Sequence, residues 1–239
     1  MIDLQQGDCL ELMKDIPDKS VDMILCDLPY QRTQNQWDVM ISIDKLWKQY
    51  KRIIKDNGCI ALFADGMFMA ELMMSNKKMW RYNLVWDKVL PSGFLNANRM
   101  PLRTHEEICV FYKKLPIYNP QKVTGNPNHS KGVPKKCVNN NYGDFEFVDN
   151  SKELGDMKHP VSIVRFSKPH PSVSVHPTQK SVEICEWLIR TYTTAGMTVL
   201  DNCMGSGTTG IACKRTGRHF IGIEIDPNYF NIAKMRMGG

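Results

Sequence analysis

The chain has 239 residues, 42% hydrophobic and 23% charged, with a formal net charge of +6. This is ordinary soluble globular composition at a length that suits one large α/β domain, or one domain with an insert. No apolar run reaches the length of a membrane span, and MIDLQQGDCLELMKD carries acids where a secretory signal needs a basic-then-apolar pattern, so neither membrane insertion nor secretion is expected.

In chain order, MIDLQ predicts a short opening strand and Leu10–Met13 a turn or short helix. VDMILCD (21–27) predicts a buried strand that stops at CDLPY, an Asp-X-Pro turn. Helical spacing over Ile43–Ile54 runs to Asn57-Gly58, a helix-stop signal. CIALFA predicts a strand, and Met67–Ser75 a Met-rich helix whose methionines read as core packing. YNLVWDK and EEICVFYK predict two strands joined by a long polar loop, VLPSGFLNANRMPLRTH. Ser181–Tyr192 predicts an amphipathic helix, TVLDNC a strand, Thr208–Arg215 a helix and FIGIEID a strand. The last helix is Pro227–Met237, with Asp226 as N-cap and Pro227 at its first position. Strands alternating with helices indicate a doubly wound, mostly parallel sheet.

Charge and proline single out residues 113–170. They hold ten Lys/Arg against five Asp/Glu, and six of the thirteen prolines, with no helical or strand period at their centre. This reads either as a solvated loop region or as a surface for a polyanion, nucleic acid first. The eight cysteines form no CxxC pair. Cys26, Cys59, Cys109 and Cys203 sit in apolar runs, the usage of reduced cytosolic thiols, so a cytoplasmic protein is expected. Cys137 has His129 eight residues before it but no second close pair, so no metal site is expected.

The stretch DNCMGSGTTG (201–210) fits G-x-G-x-x-G at Gly205, Gly207 and Gly210, with Glu224 at the end of the next strand. A dinucleotide site has this form, but its glycines follow the strand more directly. Asp201 would repel a pyrophosphate and suit a cation. S-adenosylmethionine has an ammonium and a sulfonium and no phosphate. Only one strand and one helix follow the motif. The missing strands must come from the start of the chain, as in a circularly permuted sheet, with MIDLQQGD beside FIGIEID in space.

CDLPY early and DNCMGSGTTGIACKRTGRHFIGIEID late resemble the S-adenosylmethionine-dependent DNA amino-methyltransferases, in the motif order of their β group. HPTQK (176–180) and GDCLELM (7–13) resemble two further motifs of that family. The resemblance implies a Rossmann-like methyltransferase fold, circularly permuted and mostly parallel, with an antiparallel hairpin. It implies a catalytic half at 1–112, a target-recognition insert at 113–170 and a cofactor-binding half at 171–239. Two departures stand out. Leu28 replaces a proline in Asp-Pro-Pro-Tyr, and Asn202-Cys203 replaces Pro-Phe after Asp201.

The resemblance also implies roles. Asp27 and the main-chain carbonyl of Leu28 or Pro29 accept hydrogens from an exocyclic amine, in-line with the methyl donor. Tyr30 stacks on the flipped base. Asp201 faces the methionine ammonium, and Gly205 and Gly207 admit the cofactor beside Cys203 and Thr208. Glu224, followed by Ile225, accepts from the ribose hydroxyls. Asp8 and Cys9 contact the cofactor adenine, and Thr178 and Lys180 lie near its carboxylate. Trp37, Lys88, Arg99, Arg103, Lys131, Lys135 and Lys136 are candidate DNA contacts, with solvated surface (or core, for Trp37) as the plain alternative. The expected activity is N6-adenine methylation of double-stranded DNA. N4-cytosine or RNA methylation, a NAD-dependent oxidoreductase and a non-catalytic DNA-binding module stay open. A monomer or homodimer is expected, with a cognate restriction enzyme as a candidate partner.

Overall fold

The computed structural model describes residues 1–29, 41–126, 156–168 and 179–238. The chain divides into two compact units, Met1–Asn119 with Ser162–Gly239, and Pro120–Val161.

The larger unit is built on an eight-stranded sheet. Its strands are β1 (Ile2–Gln6), β2 (Val21–Asp27), β3 (Ile54–Ala64), β4 (Trp80–Ser92), β5 (Arg103–Phe111), β8 (Ile163–Arg165), β9 (Thr198–Asp201) and β10 (His219–Glu224). The smaller unit holds β6 (Val123–Thr124) and β7 (Met157–Lys158), an antiparallel pair in which Gly125 N–H donates to Asp156 O at 2.7 Å. The helices are α1 (Cys9–Leu12), α2 (Ile43–Ile53), α3 (Met67–Ser75), α4 (Val182–Tyr192), α5 (Thr208–Thr216) and α6 (Pro227–Met237).

Strand order in the large sheet is β1-β10-β9-β2-β3-β5-β4-β8. The strands from β1 to β3 pair in parallel, β5 runs against β3 and β4, and β8 is parallel to β4. The expected permutation is present: β1 lies beside β10, from Ile2 opposite Phe220 to Gln6 opposite Glu224. Helices cover both faces. Leu46, Trp47, Tyr50 and Ile53 of α2, with Phe68 and Leu72 of α3, pack on the face carrying Ile24 and Cys26. Ile184, Leu188 and Ile189 of α4, Ala212 of α5 and Met237 of α6 pack on the face carrying Met23 and Leu25. Burial on both faces explains why β2 is an unbroken apolar run from Met23 to Cys26 rather than an alternating one.

Four sequence expectations need correction. Asn57-Gly58 does not stop a helix: α2 ends at Ile53 and β3 begins at Ile54. The pair sits in a bulge, where the register moves from Val21 opposite Ile54 to Met23 opposite Cys59. A Cβ on Gly58 would meet Ile54 Cδ1 at 2.7 Å and the Asp22 carbonyl oxygen at 2.9 Å, so glycine is needed for close backbone approach, not for stopping a helix. The loop between β4 and β5 is shorter than expected, because β4 continues to Ser92 through a second register shift in which Val89 holds φ 65°. The α3 methionines divide: Met69 and Met73 pack against the core as expected, with their sulfurs accepting from Asn83 Nδ2 at 3.3 and 3.5 Å, while Met67 and Met74 are exposed. The strand TVLDNC ends at Asp201, which leaves Asn202 and Cys203 in the loop. Residues 113–119 and 162–168, at the two ends of the basic segment, belong to the larger unit.

Gly58→Ala is expected to cost about 1–3 kcal/mol, because the Asp22 carbonyl cannot yield without moving β2. Urea unfolding against the parent measures it. An unchanged midpoint would mean that the bulge is soft.

Candidate active site on the carboxyl edge of the sheet

The parallel strands deliver their carboxyl ends to one edge. Asp27 ends β2, Asp201 ends β9, Glu224 ends β10, Gly7-Asp8 follows β1 and Asp65 follows β3. The reversed strand β5 brings Glu106 to the same edge from its starting end. The chain leaves β9 for β10 on one side, and leaves β2 for β3 on the other. The crevice between β9 and β2 is therefore the topological switch point, where open α/β sheets bind ligands.

On the β9 side a tight loop precedes α5. Gly205 N–H and Asp226 N–H donate to the two carboxylate oxygens of Glu224, each at 2.8 Å, and Met204 N–H donates to Ile223 O at 2.9 Å. Burial pushes the Glu224 carboxyl up, against these donors. Gly207 holds φ 80° as the residue before Thr208, and a Cβ there would meet Met237 Cε at 2.6 Å and Ala233 Cβ at 3.0 Å. Arg236 of α6 secures the loop by donating to Ser206 O at 2.6 Å and Ser206 Oγ at 2.8 Å. Asp201 is buried and accepts from Thr209 Oγ1 at 2.7 Å and Cys203 N–H at 3.2 Å. Burial outweighs those bonds and lifts its carboxyl to about 7.

The loop's floor comes from the other end of the chain. Asn202 accepts the Tyr50 hydroxyl of α2 at 2.5 Å, and its amide reaches Cys203 Sγ at 3.3 Å. Cys203 is half-buried, and the neighbouring thiols of Cys26 and Cys9, with burial, push its own thiol up. Burial drives the Cys26 thiol to about 12, so it stays protonated and inert. Asp8 is exposed and caps α1, accepting from Leu10 N–H at 2.7 Å and Glu11 N–H at 3.1 Å. Ile225, just past Glu224, is exposed.

On the β2 side Asp27 belongs to a run of buried charge. Lys180 Nζ lies 2.8 Å from Asp27 Oδ2, 3.0 Å from Glu106 Oε2 and 5.1 Å from the centre of the Phe63 ring. Lys88 Nζ lies 3.0 Å from Glu106 Oε1. Burial pushes the Glu106 carboxyl up, but the Lys180 and Lys88 ammoniums outweigh it and hold the group below the usual carboxylate range. Leu28 is buried in the core and anchors the turn after Asp27, and Pro29 is half-buried.

The edge thus gathers Asp8, Cys9, Asp27, Lys180, Asp201, Cys203, Gly205, Gly207, Thr208 and Glu224, all anticipated from sequence. Lys88 is a correction: it is 6% exposed and committed to Glu106, so it is not a surface phosphate contact. Arg103 is half-exposed and pairs with Asp65, and Arg99 is exposed in the β4–β5 turn. Tyr30, Trp37, Lys131, Lys135, Lys136 and Thr178 lie outside the described residues. Sequence reasoning missed Glu106, Tyr50, Thr209 and Arg236. Only Glu106 left a signal, as one of two adjacent acids immediately before the apolar run Ile108–Phe111.

The DNA methylase family model, for N6/N4 methyltransferases, matches residues 21–235. The chain belongs to the N6/N4 DNA methylase family. M.HinfI, a type II methyltransferase of Haemophilus influenzae, is 25% identical over 260 residues, covering 97% of this chain and 67% of that protein. The crystal structure of the M1.HpyAVI–SAM complex aligns at 26% identity with a TM-score of 0.67, over 99% of this chain and 100% of that one. The cytosine-N4-specific PvuII DNA methyltransferase aligns with a TM-score of 0.72, over 100% of this chain and 86% of that one. At 16% identity that likeness shows the fold alone. This DNA methyltransferase carries the CDLPY and DNCMGSG segments at the ends of adjacent parallel strands.

Glu106→Gln should lower stability by about 2–4 kcal/mol at pH 7, because two buried ammoniums lose their shared carboxylate. The folded Glu106 carboxyl is held down, so its contribution is fully present above the unfolded value of about 4.3 and is lost as pH falls below that value and through the lower folded one. Urea unfolding of both proteins from pH 7 to pH 3 should show the gap closing on acidification. A gap independent of pH would mean that packing, not charge, sets the loss.

Proposed function

We propose that this DNA methyltransferase transfers the methyl group of S-adenosylmethionine to the N6 amino group of adenine in duplex DNA. The observation carrying this reading is the Asp27 carboxylate at the switch point, one strand from the Asp201–Gly207 loop. The donor set of the crevice fits the cofactor. Asp201 and Glu224 oppose a pyrophosphate and suit an ammonium and ribose hydroxyls, and each Glu224 oxygen keeps acceptor capacity beyond its one N–H bond. Gly205 and Gly207, at φ 50° and 80°, give the backbone close approach. When bound, the cofactor supplies an electrophilic methyl group.

The chain's own residues do the rest. The exocyclic nitrogen of adenine is a poor nucleophile, because its lone pair is delocalised into the ring. Asp27 accepts one amino hydrogen and a carbonyl of the Leu28-Pro29 turn accepts the other. These acceptors favour the tetrahedral, positively charged nitrogen of the transition state. Lys180 orients Asp27, and Glu106 offsets the Lys180 charge so that Asp27 remains a strong acceptor. Tyr30 stacks on the extruded base. Aspartate at position 27 favours adenine, since N4-cytosine members of the family more often carry serine there. Residues 113–170, which lie along the chain between catalytic half 1–112 and cofactor half 171–239, hold the duplex through a charge excess suited to phosphate, and side chains of that segment and neighbouring loops that reach base edges read the target.

Incubation with methyl-labelled S-adenosylmethionine and mixed-sequence duplex DNA, followed by digestion to nucleosides, should place label in N6-methyldeoxyadenosine. Label only in N4-methyldeoxycytidine would overturn the substrate assignment. Asp27→Ala should reduce transfer by at least about a hundredfold while the cofactor still binds; retained turnover would remove Asp27 from its role.

Cofactor affinity should depend on pH. Asp201 keeps its proton up to about pH 7, so its negative charge is lost as pH falls below that value. Affinity measured by equilibrium dialysis should weaken between pH 7 and 5.5, by up to about tenfold per unit. Asp201→Asn should bind weakly at every pH. A flat profile in the wild-type protein would show that Asp201 does not meet the cation.

A further inference from the structure

We propose that the tip of the β4–β5 hairpin, with Phe94 and Leu95 at its end, is a wedge that enters the target duplex. There it fills the gap left by the base withdrawn toward Asp27. This rests on the reading that the protein methylates a base extruded from duplex DNA.

The hairpin stands beside the site on the same edge of the sheet. Asp27 lies opposite Phe63, Phe63 opposite Ile108, and Ile108 opposite Leu84. From that row β5 extends five residues further, to Arg103 opposite Ser92, a projection of about 17 Å at strand rise. The tip beyond it is built, not slack. Asn96 N–H donates to Gly93 O at 2.9 Å, Ala97 N–H to Phe94 O at 3.1 Å and Arg99 N–H to Asn96 O at 2.8 Å, around Gly93 at φ 90°. Arg103 ties the hairpin's base to Asp65 at the end of β3.

What this scaffold presents is apolar. Leu95 is fully exposed, Phe94 is 68% exposed and Met100 57%. One exposed leucine on a surface is ordinary, but three large apolar side chains on one turn are not. Charge selects the occupant. Between Val89 and His105 there is no Asp or Glu, while Arg99 lies exposed on the tip and Arg103, half-exposed beside Asp65, stands at its base. A polyanion is attracted to Arg99 on a tip without acids, and a duplex also has apolar faces within its stack. Extruding a base opens a gap bounded by two such faces, and apolar side chains entering between base steps are an established way to hold a duplex open.

The test uses full-length F94S/L95S, whose changes are at exposed positions, on duplexes carrying the methylation site mapped for the wild-type protein. Each duplex is prepared with the target base correctly paired and again mispaired. A mispaired target has lost much of its cost of extrusion. With the paired duplex, kcat/KM for DNA should fall about ten- to a hundredfold. With the mispaired duplex the loss should shrink to less than about threefold, while cofactor affinity stays unchanged. Leu95→Met, with Phe94 kept, should retain most activity. Equal loss on both duplexes would make the tip a plain DNA contact and overturn the wedge. So would no loss, or a shift from dimer to monomer on sedimentation that accounts for the defect. A wild-type protein that transfers no label to DNA would remove the underlying reading as well, so the two failures are told apart.

Discussion

The parallel pairing of β9 with β2 is the contact on which the site depends. It joins segments 176 residues apart, Met23 opposite Val199 and Ile24 opposite Leu200. Thr198 N–H donating to Asp22 Oδ2 at 2.9 Å holds the start of the pair. Both strands are buried on both faces, so a slip of one residue would exchange every side chain between two different cores. That penalty fixes the register, and the register sets Asp201 beside the turn that carries Asp27. The helices on either face serve the same end: α2 sends Tyr50 to Asn202, and α6 sends Arg236 to Ser206.

The crevice is unusual in the charge it buries. Asp201, Glu224, Lys180 and Lys88 are all nearly or wholly withdrawn from solvent, and Glu106 and Asp27 are partly so. Burying charge is costly unless it is paired, and the two sides of the crevice meet that cost differently. On the β2 side opposite charges alternate from Asp27 to Lys180, Glu106 and Lys88, which favours ionised carboxylates. On the β9 side the acids meet neutral donors, Thr209 and backbone N–H groups, and burial raises their affinity for protons. One side is complete as it stands. Under the proposed function, the other is completed by the cationic groups of S-adenosylmethionine.

Much of this was legible in the residues. The α6 boundaries, its Asp226 cap and Pro227 came directly from local chemistry, because a cap is decided within four residues. The permuted placing of β1 beside β10 was legible from the motif order, with the glycine loop late in the chain and the Asp27 turn early. Lys88 was misread because its sequence neighbours, Asp87 and Val89, look like a strand leaving the core, whereas its burial comes from Glu106 on the next strand and a bulge that turns it inward. Asn57-Gly58 misled for a related reason: the dipeptide stops helices in general, but here helix α2 had already ended and the glycine answers to a carbonyl on β2.

By itself the sequence determined the family, the mostly parallel α/β class and the permuted placing of the first strand beside the last. Those follow from periodicity, turn chemistry and motifs, which are local. Only the tertiary structure decided which charges face each other. The Lys180 bridge from Asp27 to Glu106 links three segments on different strands and loops, and the protonation of Asp201 depends on how completely α5 and β2 bury it. Interactions of that kind are set by distance and solvent access in space, and no spacing along the chain encodes them.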